Sequence, residues 1–420
     1  MDQWSILVLG SLRVGLNTDY DRILELANQH STLREMLGLG CFDSDKRYRL
    51  QTLKDNLKLF TPKIMDRIGV EVIRASYQLL DLDIHKLIRG RCDSFVLKTN
   101  VHFPTDTSLL HDATRILIRL CVKWSLQYAL PEWRLHKHNL SKFKGLYRKL
   151  QKLKHSTSKN EDIKAAKAQE IKQAYQDYID LAGFYLERTK TSMLTLKSDF
   201  QIPEALLTDL RTFSLHAERQ IDQIRRRAIQ GETIPHDEKV FSLFQPHTEW
   251  ISKGKAGVPV ELGLRVCIME DSHGFILHSQ VCQNTTDDKV AVPMVKATQA
   301  KFPGFNACSF DKGFHSQANQ TDLKVFLEQV VLPKKGKLSK ADQEREYAPE
   351  FKQAKKQHSA VESAINTLEV HGLDKCLDHG IDAFERYVGL AVLSRNIQKL
   401  GTIKRDMERL RLLEQQKLAA

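Results

Sequence analysis

Cys92-Asp93-Ser94-Phe95-Val96-Leu97-Lys98-Thr99-Asn100-Val101 is the stretch whose reading decides the fold. It is apolar and β-branched, bounded by Gly90 and Pro104, and so predicts a strand with an acid near its start. Before it, residues 1 to about 88 read as helical. Ile23, Leu24 and Ala27 share a face, Ser31 is placed to cap a turn carrying Leu33, Met36 and Leu37, and helices follow over Leu50 to Phe60 and Pro62 to Leu80. Short helices in this arrangement suit a helix-turn-helix reader of DNA, though most small helical bundles bind no nucleic acid.

After it, Thr105-Asp106-Thr107-Ser108 opens a helix, and helical character runs to about Arg227, with polar breaks near Ser156 and Gln201. Strand signals return after Pro235. Leu264 to Met269 and Phe275 to Val281 flank a Glu270-to-Gly274 turn as a hairpin. Asp287 is placed to cap a helix, and Asn306 to Phe310 is a short strand closed by Asp311. A helix near Thr321 to Leu327, the strand Val330 to Leu332, a long helix from Phe351 to about Glu369 and another from Ile381 to Leu400 complete the order. The expected product is an α/β protein: a mixed sheet with helices packed on it and a long helical insertion. The domains predicted are 1–88 (helical, DNA-binding), 89–112 plus 236–400 (the core), 113–235 (the insertion) and 401–420 (a charged helical tail).

A formal net charge of +12 over 420 residues points to a polyanionic partner. No apolar run approaches the roughly 20 residues that span a bilayer, and the opening lacks the flanks of a signal peptide. The seven cysteines are scattered with no CxxC, and the sixteen histidines form no ligand pair, so neither a disulfide framework nor a zinc site is expected. A reducing, cytoplasmic setting follows as the expectation.

Three acids fall where the architecture would bring them together: Asp93 on the first strand, Asp311 closing a later strand before Lys312-Gly313-Phe314, and Glu362 inside a long helix. Asp106 competes with Asp93, but it directly precedes a helix and capping explains it. Carboxylates in such a set suit phosphodiester chemistry. Two Mg²⁺ ions, for which Mn²⁺ would substitute, can clamp the attacking and leaving oxygens, and Mg²⁺ is held by one or two carboxylates plus substrate phosphates.

At these residues a family resemblance enters. Asp93-Ser-Phe-Val-Leu-Lys-Thr-Asn-Val-His-Phe-Pro-Thr-Asp106, His247-Thr-Glu-Trp-Ile-Ser-Lys-Gly-Lys255, Ser309-Phe-Asp-Lys-Gly-Phe-His315 and His358-Ser-Ala-Val-Glu-Ser-Ala-Ile-Asn366 resemble insertion-sequence transposases of the ISNCY group, within the DDE superfamily. The resemblance implies an RNase H-like core and a metal-bound catalytic triad of Asp93, Asp311 and Glu362. It also implies strand cleavage at element ends, strand transfer to target DNA, and a homo-oligomer on double-stranded DNA in the nucleoid. Departures stand beside it. Relatives often carry Y-x₂-R-x₃-E-x₆-K around the helix glutamate, and here those places hold Lys355, His358 and Glu369. His358, one turn before Glu362, remains placed to contact a phosphate.

DNA contacts are expected from the run Arg134 to Lys154, which holds eight Lys or Arg and no acid; Lys142, Lys144, Arg148 and Lys149 are its centre. Arg225-Arg226-Arg227 is a second cluster. Lys253 and Lys255 flank Gly254 in a loop where the backbone can approach a phosphate, beside Trp250 as a candidate base-stacking platform. The alternatives are a nuclease that cuts without joining and a DNA-binding or regulatory protein without catalysis.

Overall fold

The computed structural model describes residues 1–43, 45–155, 161–252 and 259–419. The protein is mixed α/β and mostly helical, with a seven-stranded mixed sheet and helices at both ends of the chain. It divides into two compact units, Met1–Asn100 with His247–Ala420, and Val101–Pro246.

The first unit opens with α1 (Gln3–Gly15), α2 (Tyr20–Gln29), α3 (Ser31–Met36), α4 (Leu50–Leu57) and α5 (Pro62–Leu79). Side-chain oxygens of Asp2, Asp19 and Thr61 take the N–H three residues on, satisfying groups that a helix start leaves unpaired. The cap of α3 is His30, whose Nδ1 accepts from the Leu33 N–H; Ser31, expected there, is the first helical residue.

The sheet is built around β1 (Ile88–Thr99). β3 (Val260–Asp271) pairs antiparallel with it, with Asp93 opposite Ile268. β4 (Ile276–Cys282) and β2 (Glu249–Ser252) pair antiparallel with β3. On the other edge of β1, β5 (Phe305–Phe310) runs parallel and is followed outward by β6 (Gln329–Val331), again parallel. The strand of Asp93 therefore joins the 264–281 hairpin across the long sequence gap, as expected. β5 covers β1 only from Ile88 to Cys92, and β7 (Lys375–Cys376) covers only Lys98 and Thr99. Between them lies a gap along residues 93–97, and β5 ends at its mouth.

Strand alternation sends successive side chains to opposite faces. Phe95, Leu97, Leu264, Val266 and Ile268 pack on one face with Leu9, Val14, Leu53, Val361, Leu368 and Leu390, so the N-terminal helices share a core with the sheet. Cys92, Cys267 and Met269 pack on the other with Val290, Met294, Phe305, Phe310 and Leu323. Fully burying one such Leu, Val or Phe contributes about 1.5–3 kcal/mol. The remaining helices of this unit are α10 (Asp287–Gln299), α11 (Gln317–Phe326), α12 (Lys340–Tyr347), α13 (Pro349–His358), α14 (Ala360–Leu368) and α15 (Ile381–Ala419). The long helix expected from Phe351 is thus two, hinged at Ser359, whose backbone stays helical (φ −57°, ψ −19°). In turn, the expected last helix and charged tail are one element, α15.

At the other end of α1, Arg13 is almost fully buried and makes a bidentate pair with Asp378 at 2.6 and 3.1 Å, its guanidinium 3.7 Å from the Tyr20 ring centroid. Such a pair holds only because both charges are met.

The second unit consists of α6 (Asp106–Tyr128), α7 (His136–His155), α8 (Glu161–Ser198) and α9 (Thr208–Ile224), and its described residues contain no strand. Leu110, Leu117, Trp133, Phe143, Tyr178, Tyr185 and Ile224 form its core. Polar atoms of its buried aromatics find partners: Trp133 Nε1 donates to Ser192 Oγ at 2.9 Å, and Tyr178 Oη to the Thr107 carbonyl at 2.9 Å.

Candidate functional site

The site forms at the sheet gap. Asp93 lies on the face of β1 that also carries Phe95 and Leu97, and Asp311 follows immediately on the end of β5. Parallel pairing sets Cys92 beside Phe310, so the residue after each is an aspartate. Helix α13 packs over β5 and β6, and α14 continues across to β1, bringing Glu362 over the gap. Burial pushes the Asp93 carboxyl up to about 7; the Ser94 N–H at 2.7 Å opposes this, while the charges of Asp311, Asp287 and Glu362 add to it. The structure therefore sets Asp93, Asp311 and Glu362 in one electrostatic neighbourhood.

Asp287 is the acid that sequence reasoning took for a cap. It is the first residue of α10, not its cap, and its Oδ1 accepts from Ser94 Oγ at 2.8 Å. Ser94 points to the opposite face from Asp93, so Asp287 reaches the gap from the far side of the sheet. A methyl group on Gly313 would sit 3.2 Å from Asp287 Oδ2 and 3.6 Å from Asp311 Oδ2. The glycine thus leaves the space into which both carboxylates project. An acid three residues before Val290 in an ordinary helix start gives no sequence signal for this role; the only trace is the small residue after Asp311-Lys312.

Asp106, the competitor, begins α6 and is held by Arg227 at 2.6 Å. Structural pairing accounts for it fully.

His358 ends α13, four residues before Glu362. Its Nδ1 lies 3.0 Å from Ser309 Oγ, and its Nε2 is buried without a partner. Burial holds the imidazole below its usual pKa; the Asp311 and Glu362 carboxylates oppose this and Arg91 reinforces it. Beside it a groove of about 460 Å³ is lined by Arg89, Arg91, Ser309, Gln329 and Gln357.

The carboxylates do not make a closed cage. Among the described residues no three His, Cys, Asp or Glu side chains are grouped tightly enough to enclose an ion. That is compatible with Mg²⁺, which keeps several waters and takes one or two carboxylates plus substrate phosphates. Asp93, half-buried with no cation against it among the described residues, is the donor most in need of one.

Of the expected DNA contacts, Arg134, Lys137, Lys142, Lys144, Arg148 and Lys149 are all exposed, while Phe143 and Leu150 of the same helix face the core. In the second cluster Arg226 binds Asp222, Glu232 and Glu238 and Arg227 binds Asp106, while Arg225 is exposed. Trp250 stands on β2; Lys253 and Lys255 lie outside the described residues. No helix among the described residues is long and apolar enough to cross a membrane.

Comparison with known proteins returns no match to a family model, to a curated protein or to a solved structure.

Proposed function

We propose that the protein is a DNA transposase of the DDE type with an RNase H-like core, cutting element ends and joining them to target DNA by metal-dependent phosphoryl transfer. The observation that carries this reading is Asp93: an acid on a central strand, its carboxyl pushed up to about 7 by burial and by three neighbouring carboxylates. Asp93 has no cation against it among the described residues, and two further acids stand near it, one at a strand end and one on a covering helix. The strand order supports the RNase H-like assignment, with the first acid on β1, the second at the carboxyl end of the adjacent parallel β5, and the glutamate on α14, which packs on β1.

Asp93, Asp311 and Glu362 would hold the ions, with Asp287 as a fourth oxygen donor. Bound there, Mg²⁺ would lower the pKa of the attacking hydroxyl and neutralise charge at the phosphorus. The chain itself partly shields Asp93 from bulk water, and in that lower dielectric its charge acts more strongly. The exposed cations of α7 supply sequence-independent attraction for phosphates. DNA is accordingly the proposed partner, bound by a homo-oligomer in the nucleoid.

The test is strand nicking of a labelled element end in Mg²⁺ or Mn²⁺, beside a gel shift on the same fragment. Asp311→Asn keeps side-chain shape but removes the charge, and nicking should fall by several orders of magnitude while binding persists. The same split is expected for Asp93→Asn and Glu362→Gln. Nicking by Asp311→Asn at the wild-type rate would overturn the assignment.

A further inference from the structure

His358 is a buried titratable group that the carboxylate chemistry leaves unused. Ser309 and Asp311 lie two residues apart on one strand end, on the same face; His358 and Glu362 lie four apart on a nearly continuous helix, also on one face. The Ser309 Oγ to His358 Nδ1 contact at 3.0 Å therefore joins the two elements one step before each presents its acid.

Either ring tautomer fits the 3.0 Å contact, and the surrounding acceptors favour one of them. Ser309 Oγ has the Gly90 carbonyl 3.5 Å away, and the Ser309 carbonyl is also within reach of the ring. Both are pure acceptors. With the serine proton directed to Gly90, Nδ1 carries the imidazole proton and donates to Ser309 Oγ. Nε2 is then a bare lone pair; burial and the Arg91 charge disfavour protonating it, against the charges of Asp311 and Glu362. Among the described residues Nε2 has no hydrogen-bond partner, it lies within the fields of Arg91, Asp311 and Glu362, and Ser309, Gln357 and Ala360 beside it line the groove. A buried polar atom of this sort marks a missing partner. In this tautomer the fitting partner is a donor, such as a water or a hydroxyl, rather than a phosphate oxygen.

We propose that His358 is a further catalytic residue, whose Nε2 accepts a hydrogen bond from the attacking water or 3′-hydroxyl and orients that oxygen toward the phosphodiester. The inference rests on the phosphoryl-transfer reading above. It replaces the phosphate contact expected of this position with a contact to the nucleophile.

Two amides separate the ring's two nitrogens. His358→Asn retains a donor near Nδ1 and so keeps the tie to Ser309, but has nothing at Nε2. His358→Gln can place an amide oxygen near the Nε2 position. With the full-length protein, the same end fragment and Mg²⁺, His358→Asn should nick at least a hundredfold more slowly at saturating DNA, with melting temperature and DNA affinity unchanged. His358→Gln should recover a tenfold or greater part of that loss. Ser309→Ala, which leaves the imidazole but frees it to rotate, should lose about tenfold and serves if either histidine variant folds poorly. Wild-type rates for His358→Asn, or equal loss in the Asn and Gln variants, overturn the proposal. Asp311→Asn in parallel separates the failures: if it nicks normally the phosphoryl-transfer reading falls, and if it is dead while His358→Asn and Ser309→Ala are active, only the role of His358 falls.

Discussion

Ser94 Oγ donates a 2.8 Å hydrogen bond to Asp287 Oδ1, tying the first turn of α10 to the strand residue next to Asp93. It holds a fourth carboxylate beside an acid whose proton already leaves late. Removing that charge should let Asp93 ionise more readily. Asp287→Asn is expected to lower the apparent pKa of Asp93 from about 7, read from carboxyl carbon shifts in an NMR titration. An unmoved titration would mean that burial and the charges of Asp311 and Glu362 set it without Asp287.

The same carboxyl makes stability depend on pH. Asp93 binds its proton up to about pH 7 in the folded chain, against 3.8 as its ordinary value. Its contribution is therefore full below about pH 3.8 and is lost as the pH rises through about 7. At about 1.4 kcal/mol per unit, the penalty at pH 8 is of the order of 2–4 kcal/mol. In metal-free urea melts, Asp93→Asn should be more stable than wild type at pH 8, and the gain should vanish toward pH 4.

A bound cation would reverse that penalty. Millimolar Mg²⁺ should raise the melting temperature of the wild-type protein at pH 8, by a free energy approaching about 2.7 kcal/mol at a hundred times Kd. The Asp93→Asn, Asp311→Asn double variant should not respond. Equal shifts in both proteins would place the ion elsewhere.

On α7, Lys142, Lys144, Arg148 and Lys149 are exposed, and no acid among the described residues is paired with them. Changing all four to alanine should weaken DNA binding irrespective of sequence. The slope of log K against log salt should flatten by about 0.9 for each phosphate that these side chains no longer neutralise. An unchanged slope in a binding titration would leave the run as a solvated face.

Asp378→Ala strips the partner from Arg13, whose side chain is 1 % exposed. An unpaired buried charge costs about 3–5 kcal/mol, so the urea midpoint should fall steeply with no change in slope.

Much of the sheet was legible because each strand carries its own signal. Asp93 to Val101 has the β-branched run, and residues 264–281 have two apolar runs around a Gly-containing turn. Asp311 was legible because an acid closing an apolar strand stands out, although it also caps the Lys312–Phe314 turn by accepting from the Gly313 N–H. Other features depend on contacts that sequence spacing does not encode. Ser359 has no breaker chemistry, so the hinge between α13 and α14 left no mark in the pattern. Asp287 looked like any acid at a helix start, since its partner Ser94 is 193 residues away. In the Arg225–Arg227 cluster, Arg227 is met by Asp106, 121 residues away, a pairing that sequence spacing does not show. Charge runs are visible in a sequence; their neutralisation is not.

Thr99 and Thr248 stand either side of the helical unit in the chain, yet their buried hydroxyls are 3.0 Å apart. The backbone leaves the sheet and re-enters it through one doorway. The sheet has no use for the covalent path between those two threonines, so the 101–246 segment is a cassette: it can lengthen, shorten or be exchanged in evolution while the pairing of β1 with β3 stays as it is. The sheet frame and the helical unit are then free to diversify at different rates.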